Sequence, residues 1–398
     1  MSVPDDDLRS REFRKILLIK LSAVGDVIHT IPVLNKLRRR YPGAQLDWLT
    51  TPPIAELLRH NPKITNVIEF VRDDWRRPWT LTPLGNAMRL AARLRAAGYD
   101  LVVDMHGQFR TAAFTLATGA PVRIGFDRPR AGVFDASARA LPKQARKHAW
   151  QGAREGSWIA YTHPIPVPTL DVHAVDRYLN VGSLLGLDQD PADFSFAVPQ
   201  QAGERIEALL CRHDIGGKKL FVMAPGTLWE TKQWRSDAFA EVARYFLHKG
   251  FAAVLIGSGR EREVCESVAA MAPGAVNLAG ATTLSELAAL MARASICLTN
   301  DSGPMHLAVA LGRPVVSVFG STDPIWIGPY RREGAVLRAE LPCSPCYLRK
   351  LSRCPHGHAC MQQVSASAVI ERAEQVLGKP AASDCPAGAR AEQKPLMR

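Results

Sequence analysis

The segment best suited to bind a ligand is Asn-Asp-Ser-Gly-Pro-Met-His-Leu at residues 300–307. It follows an apolar strand pattern, and Pro304 then begins a helical pattern. The first turn of such a helix presents unpaired N–H groups and a positive dipole end, which together can bind a phosphate. Ser302 adds a hydroxyl donor, Gly303 permits close approach of the backbone, and Asp301 could accept hydrogen bonds from ribose or cap the helix. An ordinary capped turn would show the same local pattern.

A similar polar turn follows a second apolar strand pattern, at residues 220–224. It contains Thr227 and Lys232 and leads into another helical pattern. In an open parallel sheet, ligands bind at the carboxyl ends of the strands, where such turns converge. The two turns together could clamp a diphosphate, with Lys232 as a point-charge ligand. Taken alone, Lys232 would be a solvated surface lysine.

A third candidate is Asp26, which ends the turn Ser-Ala-Val-Gly-Asp after the first strand pattern. A carboxylate at this point could accept a proton from an attacking hydroxyl group, as a general base. Aspartate is also a favoured residue at the start of a helix, so a capping role fits the local sequence equally well. His29, close by, is either an accessory ligand or a packed histidine.

Two further motifs have competing interpretations. Gly-Ser-Gly-Arg-Glu at residues 257–261 imitates a dinucleotide-binding loop, but Arg262 replaces the third glycine, so NAD is weakly indicated. Farther along, a cysteine cluster could hold a structural zinc ion, although its irregular spacing also fits a loop whose thiols simply pack. That cluster consists of Cys343, Cys346, Cys354 and Cys360.

These motifs lie on alternating strand and helix patterns in both halves of the chain. The predicted strands are residues 15–21, 45–50, 66–71, 100–105 and 121–126, then 219–224, 252–257, 275–279, 295–299 and 314–319. The alternation predicts α/β architecture: two doubly wound, Rossmann-like domains with parallel sheets. We expect the domains at residues 1–187 and 201–378, a linker at 188–200 and a disordered tail at 379–398.

The composition bounds the class of protein and its partners. The chain has 398 residues, 47% of them hydrophobic and 22% charged, as in a globular protein with two cores. It has no apolar run of membrane-spanning length, and its acidic start is unlike a signal peptide, so we expect a cytosolic protein. The net charge of +12 favours an anionic partner, and no nucleic-acid-binding motif accompanies it.

The ordered set of motifs resembles the ADP-heptose:lipopolysaccharide heptosyltransferases of glycosyltransferase family 9, which have the GT-B fold. The resemblance covers residues 14–335. Its motifs are the glycine-containing turn at residues 22–26, Trp-Arg-Arg-Pro-Trp at 75–79, Asp-Met-His-Gly at 104–107, His-Ala-Val-Asp-Arg at 173–177, the polar turns already described and Phe-Gly-Ser-Thr-Asp-Pro at 319–324. The tryptophan–arginine segment is similar to the heptosyltransferase I branch.

The resemblance implies an inverting, metal-independent glycosyltransferase with Asp26 as catalytic base and no required cofactor. The C-terminal domain would bind ADP-heptose, and the N-terminal domain a lipid A–Kdo or inner-core acceptor. The implied donor-site residues are Thr227, Lys232, Glu261, Asp301, Ser302, Gly303 and His306. Basic residues expected to bind the acidic acceptor are Arg76, Arg77, Arg128 and Arg130.

An enzyme acting on such an acceptor would sit peripherally on the anionic inner face of the inner membrane. Two other interpretations remain open at this point. One is another nucleotide-sugar enzyme of the same architecture, such as a different ADP-sugar transferase or a non-hydrolysing epimerase. The other is a nucleotide-sugar-binding protein without turnover.

Overall fold

The N-terminal half of the chain forms a six-stranded parallel sheet. The computed structural model describes residues 7–71, 82–128, 153–167 and 171–378. The strands are β1 Lys15–Ile19, β2 Gln45–Thr50, β3 Asn66–Glu69, β4 Leu101–Asp104, β5 Val122–Phe126 and β6 His163–Ile165, in the order β3-β2-β1-β4-β5-β6. The helices are α1 Val24–Arg40, α2 Pro52–Leu58, α3 Thr82–Ala97, α4 Phe109–Thr118, α5 Ala174–Leu179 and α6 Gly182–Leu185.

The C-terminal half repeats this topology. Its strands are β7 Leu220–Ala224, β8 Ala252–Leu255, β9 Val276–Asn277, β10 Ala294–Asn300, β11 Val315–Phe319 and β12 Val336–Arg338, in the order β12-β11-β10-β7-β8-β9. The helices are α7 Gln200–Arg212, α8 Ser236–His248, α9 Arg262–Met271, α10 Leu284–Ala292, α11 Gly303–Ala310, α12 Pro324–Ile327, α13 Ala359–Gln362 and α14 Ala366–Gly378. Both halves therefore have the strand order of a doubly wound dinucleotide-binding fold.

The central strands are buried on both faces, which explains their continuous apolar sequences. All five residues of β7 and of β11 are buried, as are the last four of β1. Each sheet has one core cluster on either face, so the helices cover the strands from two sides. The predicted α/β class, with two parallel sheets, is confirmed.

The structure also contains two strands that the sequence did not predict, β6 and β12. Each is three residues long and lies at the edge of its sheet, paired with one neighbour only. Pro164 in β6 is tolerated because an edge strand has one side without ladder bonds. Between β6 and the linker, the chain forms two short helices, α5 and α6, and Gly186 ends the second in the left-handed conformation.

The predicted linker lies along α1. Its residues 188–199 contain neither helix nor strand. Lys36 on α1 donates hydrogen bonds to the carbonyl oxygens of Asp188 and Asp190, at 2.9 and 2.8 Å. Asn35 donates to the Asp193 carbonyl at 2.7 Å. Asp188 and Asp190 therefore take part in the contact between the linker and α1. The predicted tail at 379–398 lies outside the described residues.

The two domains meet at helix ends. A Cβ atom on Gly25, in α1, would lie 2.4 Å from His306 Cδ2, and one on Gly303, in α11, would lie 3.2 Å from Val24 Cβ. The absence of both side chains therefore lets the first turns of α1 and α11 touch. Nearby, Glu56 on α2 accepts a hydrogen bond from the Ser285 N–H group at 2.9 Å, so the first domain caps α10 of the second. Among the described residues, no helix is long and apolar enough to cross a membrane.

Candidate functional site

A cleft of about 950 Å³ lies between the domains. Its walls include the turns that follow β1, β4, β7 and β10, which are the central strands where the strand order of each sheet reverses. This is where ligands bind in doubly wound folds. The cleft is lined by Asp26 together with the seven predicted donor-site residues, Thr227, Lys232, Glu261, Asp301, Ser302, Gly303 and His306. The structure thus brings together residues that are up to 280 positions apart.

Asp26 lies in the first turn of α1 and is partly exposed to the cleft. Its Oδ2 atom accepts a hydrogen bond from the Ala23 N–H group at 3.3 Å. Burial acts to raise the pKa of this carboxyl, but the Lys20 ammonium and the Ala23 N–H group outweigh burial and hold the pKa below its usual value. The carboxylate is therefore ionised at neutral pH. Ala23, and not Asp26, is the N-cap residue of α1, but the Asp26 side chain binds that helix end and also faces the cleft.

Lys20, which the sequence reasoning missed, supplies the positive charge beside Asp26. Its Nζ atom donates to the Met105 carbonyl at 2.8 Å and to the Tyr178 hydroxyl at 2.7 Å. Burial acts to lower the pKa of Lys20, but Tyr178 and Asp26 raise it overall, so the side chain stays charged. The available signal was a lysine directly after an apolar strand and before the glycine-containing turn.

Lys232 and Asp301 form an ion pair inside the cleft. The Nζ–Oδ2 distance is 2.6 Å, and the side chains are 12% and 4% exposed. Thr322 also donates its hydroxyl to Asp301, and Lys232 Nζ lies 4.4 Å from the centre of the Trp229 ring. Asp301 therefore holds the lysine that was predicted to bind phosphate. It does not cap α11, because that position belongs to Ser302.

The N-terminus of α11 points into the cleft without a side-chain cap. Ser302 occupies the capping position, but its hydroxyl donates to the Asn300 carbonyl at 3.3 Å and does not bind the helix N–H groups. Asn300, which begins the predicted ligand-binding segment but had no predicted role, accepts from the Trp234 N–H group at 3.0 Å and donates to the Pro225 carbonyl at 2.8 Å. These contacts join the two predicted phosphate-binding turns. The arrangement matches an anion site at a helix N-terminus.

Glu261 borders the cleft next to the turn after β7. Its Oε2 atom accepts from the N–H and hydroxyl groups of Ser258, at 2.7 and 2.8 Å. A Cβ atom on Gly226 would lie 2.6 Å from Glu261 Cβ, so the glycine leaves the space that this side chain occupies. Glu261 is therefore held in one orientation at the wall of the cleft.

Histidines connect the domains behind Asp26. His29 Nε2 and His306 Nδ1 lie 2.9 Å apart, so one ring nitrogen donates to the other. His173 packs edge-on against His29 and donates from Nε2 to the Gly328 carbonyl at 2.9 Å. Burial lowers the pKa of His306 to about 4, and that of His29 well below its usual value. The pair is therefore neutral at physiological pH, and His306 has a packing contact as well as a place in the cleft.

Of the four predicted acceptor residues, the structure describes only Arg128. Arg128 is exposed after β5 and does not line the cleft, while Arg76, Arg77 and Arg130 lie outside the described residues. The arginines that do line the cleft in the described ranges are Arg154, near the N-terminal domain wall, and Arg349, whose guanidinium lies 4.7 Å from the Trp229 ring centre. Neither was singled out from sequence, because each lies in a segment without a regular pattern.

The cysteine cluster does not form a metal site in this structure. Within residues 171–378 and the other described ranges, no three His, Cys, Asp or Glu side chains are placed to hold a metal ion. Cys360 is buried, and a Cβ atom on Gly320 would lie 2.9 Å from its Sγ atom. His358 instead binds the Thr231 carbonyl at 2.9 Å. The geometry thus gives no ligand set for the structural zinc considered above.

Two Rossmann-like domains that face each other across one cleft form the GT-B architecture. The family model for glycosyltransferase family 9 (heptosyltransferase) matches residues 87–151 and 136–356. The chain is 32% identical over 337 residues to lipopolysaccharide heptosyltransferase 1 of Pseudomonas aeruginosa, covering 83% of this chain and 86% of that protein. The chain belongs to glycosyltransferase family 9 and is an enzyme that transfers a glycosyl group.

Solved structures share the fold. A glycosyltransferase family 9 protein from Veillonella parvula superimposes with a TM-score of 0.73 at 21% identity, over 92% of this chain and 97% of that one. The Escherichia coli heptosyltransferase WaaC, in complex with ADP-2-deoxy-2-fluoro heptose, superimposes with a TM-score of 0.67 at 24% identity. That match covers 91% of this chain and 99% of WaaC.

Proposed function

We propose that this enzyme moves a heptose from ADP-heptose to the Kdo or inner-core region of lipopolysaccharide, with inversion at the anomeric carbon. The observation that carries the proposal is the placement of two groups in one cleft. An ionised carboxylate, Asp26, faces it from the first domain, and an anion-binding helix end with Lys232 faces it from the second. The name of the Pseudomonas relative and the ligand of the WaaC structure support this choice of acceptor and donor.

In the proposed reaction, Asp26 accepts the proton of an acceptor hydroxyl. The hydroxyl oxygen attacks the anomeric carbon from the face opposite ADP and forms the new glycosidic bond. The bond between that carbon and the diphosphate oxygen breaks, and ADP leaves with the electron pair. The first requirement of a general base is that it lies within reach of the proton it accepts. The position of Asp26 beside the domain contact, next to the N-terminus of α11, supports this role.

Charge that develops on the departing diphosphate is stabilised by fixed groups. The N–H groups at the start of α11 and the Lys232 ammonium are already in place before reaction, so little reorganisation is needed. Arg349 adds a third positive group at the cleft wall. We infer that these groups make a metal ion or other cofactor unnecessary.

The charge of the acceptor suggests which residues bind it. The acceptor carries phosphates and carboxylates, and arginine binds such groups bidentately. We propose that Arg76, Arg77, Arg128 and Arg130 contact the acceptor. We also place the enzyme in the cytoplasm, in peripheral contact with the inner face of the inner membrane, where the lipid-linked acceptor is anchored.

The direct test incubates the full chain with ADP-heptose and Kdo₂-lipid A and uses mass spectrometry to detect one added heptose. Asp26→Asn should lower kcat at least ~10²-fold, because the amide cannot take the proton. Its oxygen can still accept from the Ala23 N–H group, so calorimetric affinity for ADP-heptose should stay near wild type. Asp237→Asn, in the first turn of α8 and outside the cleft, is the matched control and should keep wild-type kcat.

Other outcomes would contradict specific parts of the proposal. Near-normal turnover of Asp26→Asn would leave Asp26 with a capping role only. Transfer that EDTA abolishes and Mg²⁺ restores would refute the metal-independent mechanism. Conversion of the nucleotide sugar without any acceptor would indicate an epimerase, and ADP binding without transfer would indicate a binding protein.

A further inference from the structure

The N-terminal domain has an exposed apolar surface outside the cleft. It is formed by α3, α4 and the turn at residues 157–160, which pack side by side. We call this surface the docking face. Its large exposed side chains are Leu84 and Met88 on α3, Phe109 and Leu116 on α4, and Ile159 on the turn. Phe109 is 67% and Ile159 78% exposed to solvent.

The spacing of these residues places them on one side of each helix. Leu84 and Met88 are four residues apart, and on α4 the exposed residues Phe109, Ala113 and Leu116 recur at intervals of four and three. The solvent side of a surface helix normally carries polar residues. On α4 the side turned away from the sheet is apolar, which indicates that this face is covered in use.

The two helices of the docking face carry only positive charges, while Glu155, which accepts a hydrogen bond from the Phe109 N–H group at 3.3 Å, is an acidic residue at its border. Neither α3 nor α4 contains an aspartate or glutamate, and their charged residues are Arg89, Arg93, Arg95 and Arg110. Arg89 and Arg93 are exposed. Apolar side chains bordered by arginines complement a bilayer with anionic headgroups, since the former enter the interface and the latter contact phosphates.

The docking face also adjoins the cleft. Phe109 directly follows Gln108, which lines the cleft, and Arg154, another cleft residue, lies three residues before the turn at 157–160. A lipid-anchored sugar held at the membrane surface would therefore reach the N-terminal wall of the cleft from this side. We propose that the docking face binds the anionic leaflet of a phospholipid bilayer and inserts Phe109, Leu116 and Ile159 at its interface. The choice of a membrane as partner rests on the proposed function; the binding itself is measured independently of it.

The test is co-flotation of the full chain with vesicles of phosphatidylethanolamine and phosphatidylglycerol, compared with phosphatidylcholine alone. Wild type should float with the anionic vesicles, less so as salt rises. Phe109→Ser with Leu116→Ser should weaken partitioning about tenfold or more, as expected when large apolar side chains are lost from the interface. Ile325→Ser, at a residue 63% exposed on α12 of the other domain, is the matched control and should float like wild type.

A second variant tests the charge separately. Arg89→Gln with Arg93→Gln should weaken binding to anionic vesicles about fivefold per arginine and leave the weak binding to phosphatidylcholine unchanged. Arg212→Gln, at an exposed arginine on α7, is its control. All variants should transfer heptose to a deacylated, water-soluble acceptor as wild type does, so loss of docking and loss of catalysis are distinguishable.

Three results would overturn the proposal. The first is wild-type chain that does not float with anionic vesicles. The second is a Phe109→Ser, Leu116→Ser variant that floats like wild type. The third is a wild-type chain that binds no vesicles and sediments as a dimer, which this variant converts to a monomer. The docking face would then join two copies of the chain.

Discussion

Removing the Lys232 ammonium should destabilise the fold, because Asp301 would remain as a buried carboxylate without its counter-ion. The two atoms are 2.6 Å apart, and Asp301 is 4% exposed. Breaking a buried ion pair on one side typically reduces stability by ~3–5 kcal/mol. Since Thr322 still donates a hydrogen bond to Asp301, we expect the lower end, about 3 kcal/mol, for Lys232→Met. Methionine keeps an unbranched stem beside the Trp229 ring.

A double-mutant cycle isolates the pair. Combining Lys232→Met with Asp301→Asn removes both charges, so the double variant should recover most of the loss, with a coupling energy of about 2 kcal/mol. Stability is measured by urea unfolding, followed by tryptophan fluorescence and extrapolated linearly to water. ADP affinity, measured calorimetrically, should fall in Lys232→Met and stay low in the double variant, because the positive charge proposed to bind the diphosphate is absent from both.

Lys249→Met is the matched control. Its ammonium pairs with Glu374 at 2.8 Å, but both side chains are on the surface, so its loss should change unfolding far less and leave ADP binding intact. The reasoning fails if Lys232→Met is no less stable than Lys249→Met. It also fails if the single effects of Lys232→Met and Asp301→Asn add without coupling, since the two groups would then not stabilise one another.

Three further outcomes are expected. Acidification from pH 6.5 to about 4 should lower the free energy of unfolding by up to about 3 kcal/mol through His306, because the unfolded chain takes up a proton that the buried ring does not. In urea unfolding curves measured over this pH range, His306→Gln should reduce the dependence of stability on pH. An unchanged pH dependence would contradict the assignment to His306. Gly226→Ala should displace Glu261 and weaken calorimetric ADP binding about tenfold, unless Glu261 makes no donor contact. Arg76→Ala with Arg77→Ala should raise the acceptor KM and leave the donor KM unchanged in transfer assays, whereas an unchanged acceptor KM would locate that site elsewhere.

The fold was largely predictable because the central strands can be recognised from their local sequence. Continuous apolar runs such as β7 and β11 are followed by polar turns and helical patterns, which is the signature of a buried parallel sheet. The edge strands β6 and β12 are not detectable in this way. Three residues carry too little periodicity, and their strand conformation depends on pairing with β5 and β11.

The site was predictable only as far as its residues follow those strands. Asp26, Lys232 and residues 301–303 lie in the segments that follow apolar strands, so the fold alone brings them to one cleft. The partners of these residues depend on contacts between distant positions. The Lys20–Tyr178 hydrogen bond joins residues 158 positions apart, and the contact of His29 with His306 spans 277. No local pattern encodes such pairs.

The touching first turns of α1 and α11 have a consequence for domain motion. When one rigid body rocks on another, each atom travels an arc proportional to its distance from the pivot. Gly25 and Gly303 are at the contact, and Asp26 and Ser302 are the residues next to them. Any rocking that preserves this contact therefore carries the carboxylate and the α11 N-terminus through the smallest arcs. The rim of the cleft can widen for a bulky ligand while the spacing between Asp26 and the N-terminus of α11 hardly changes.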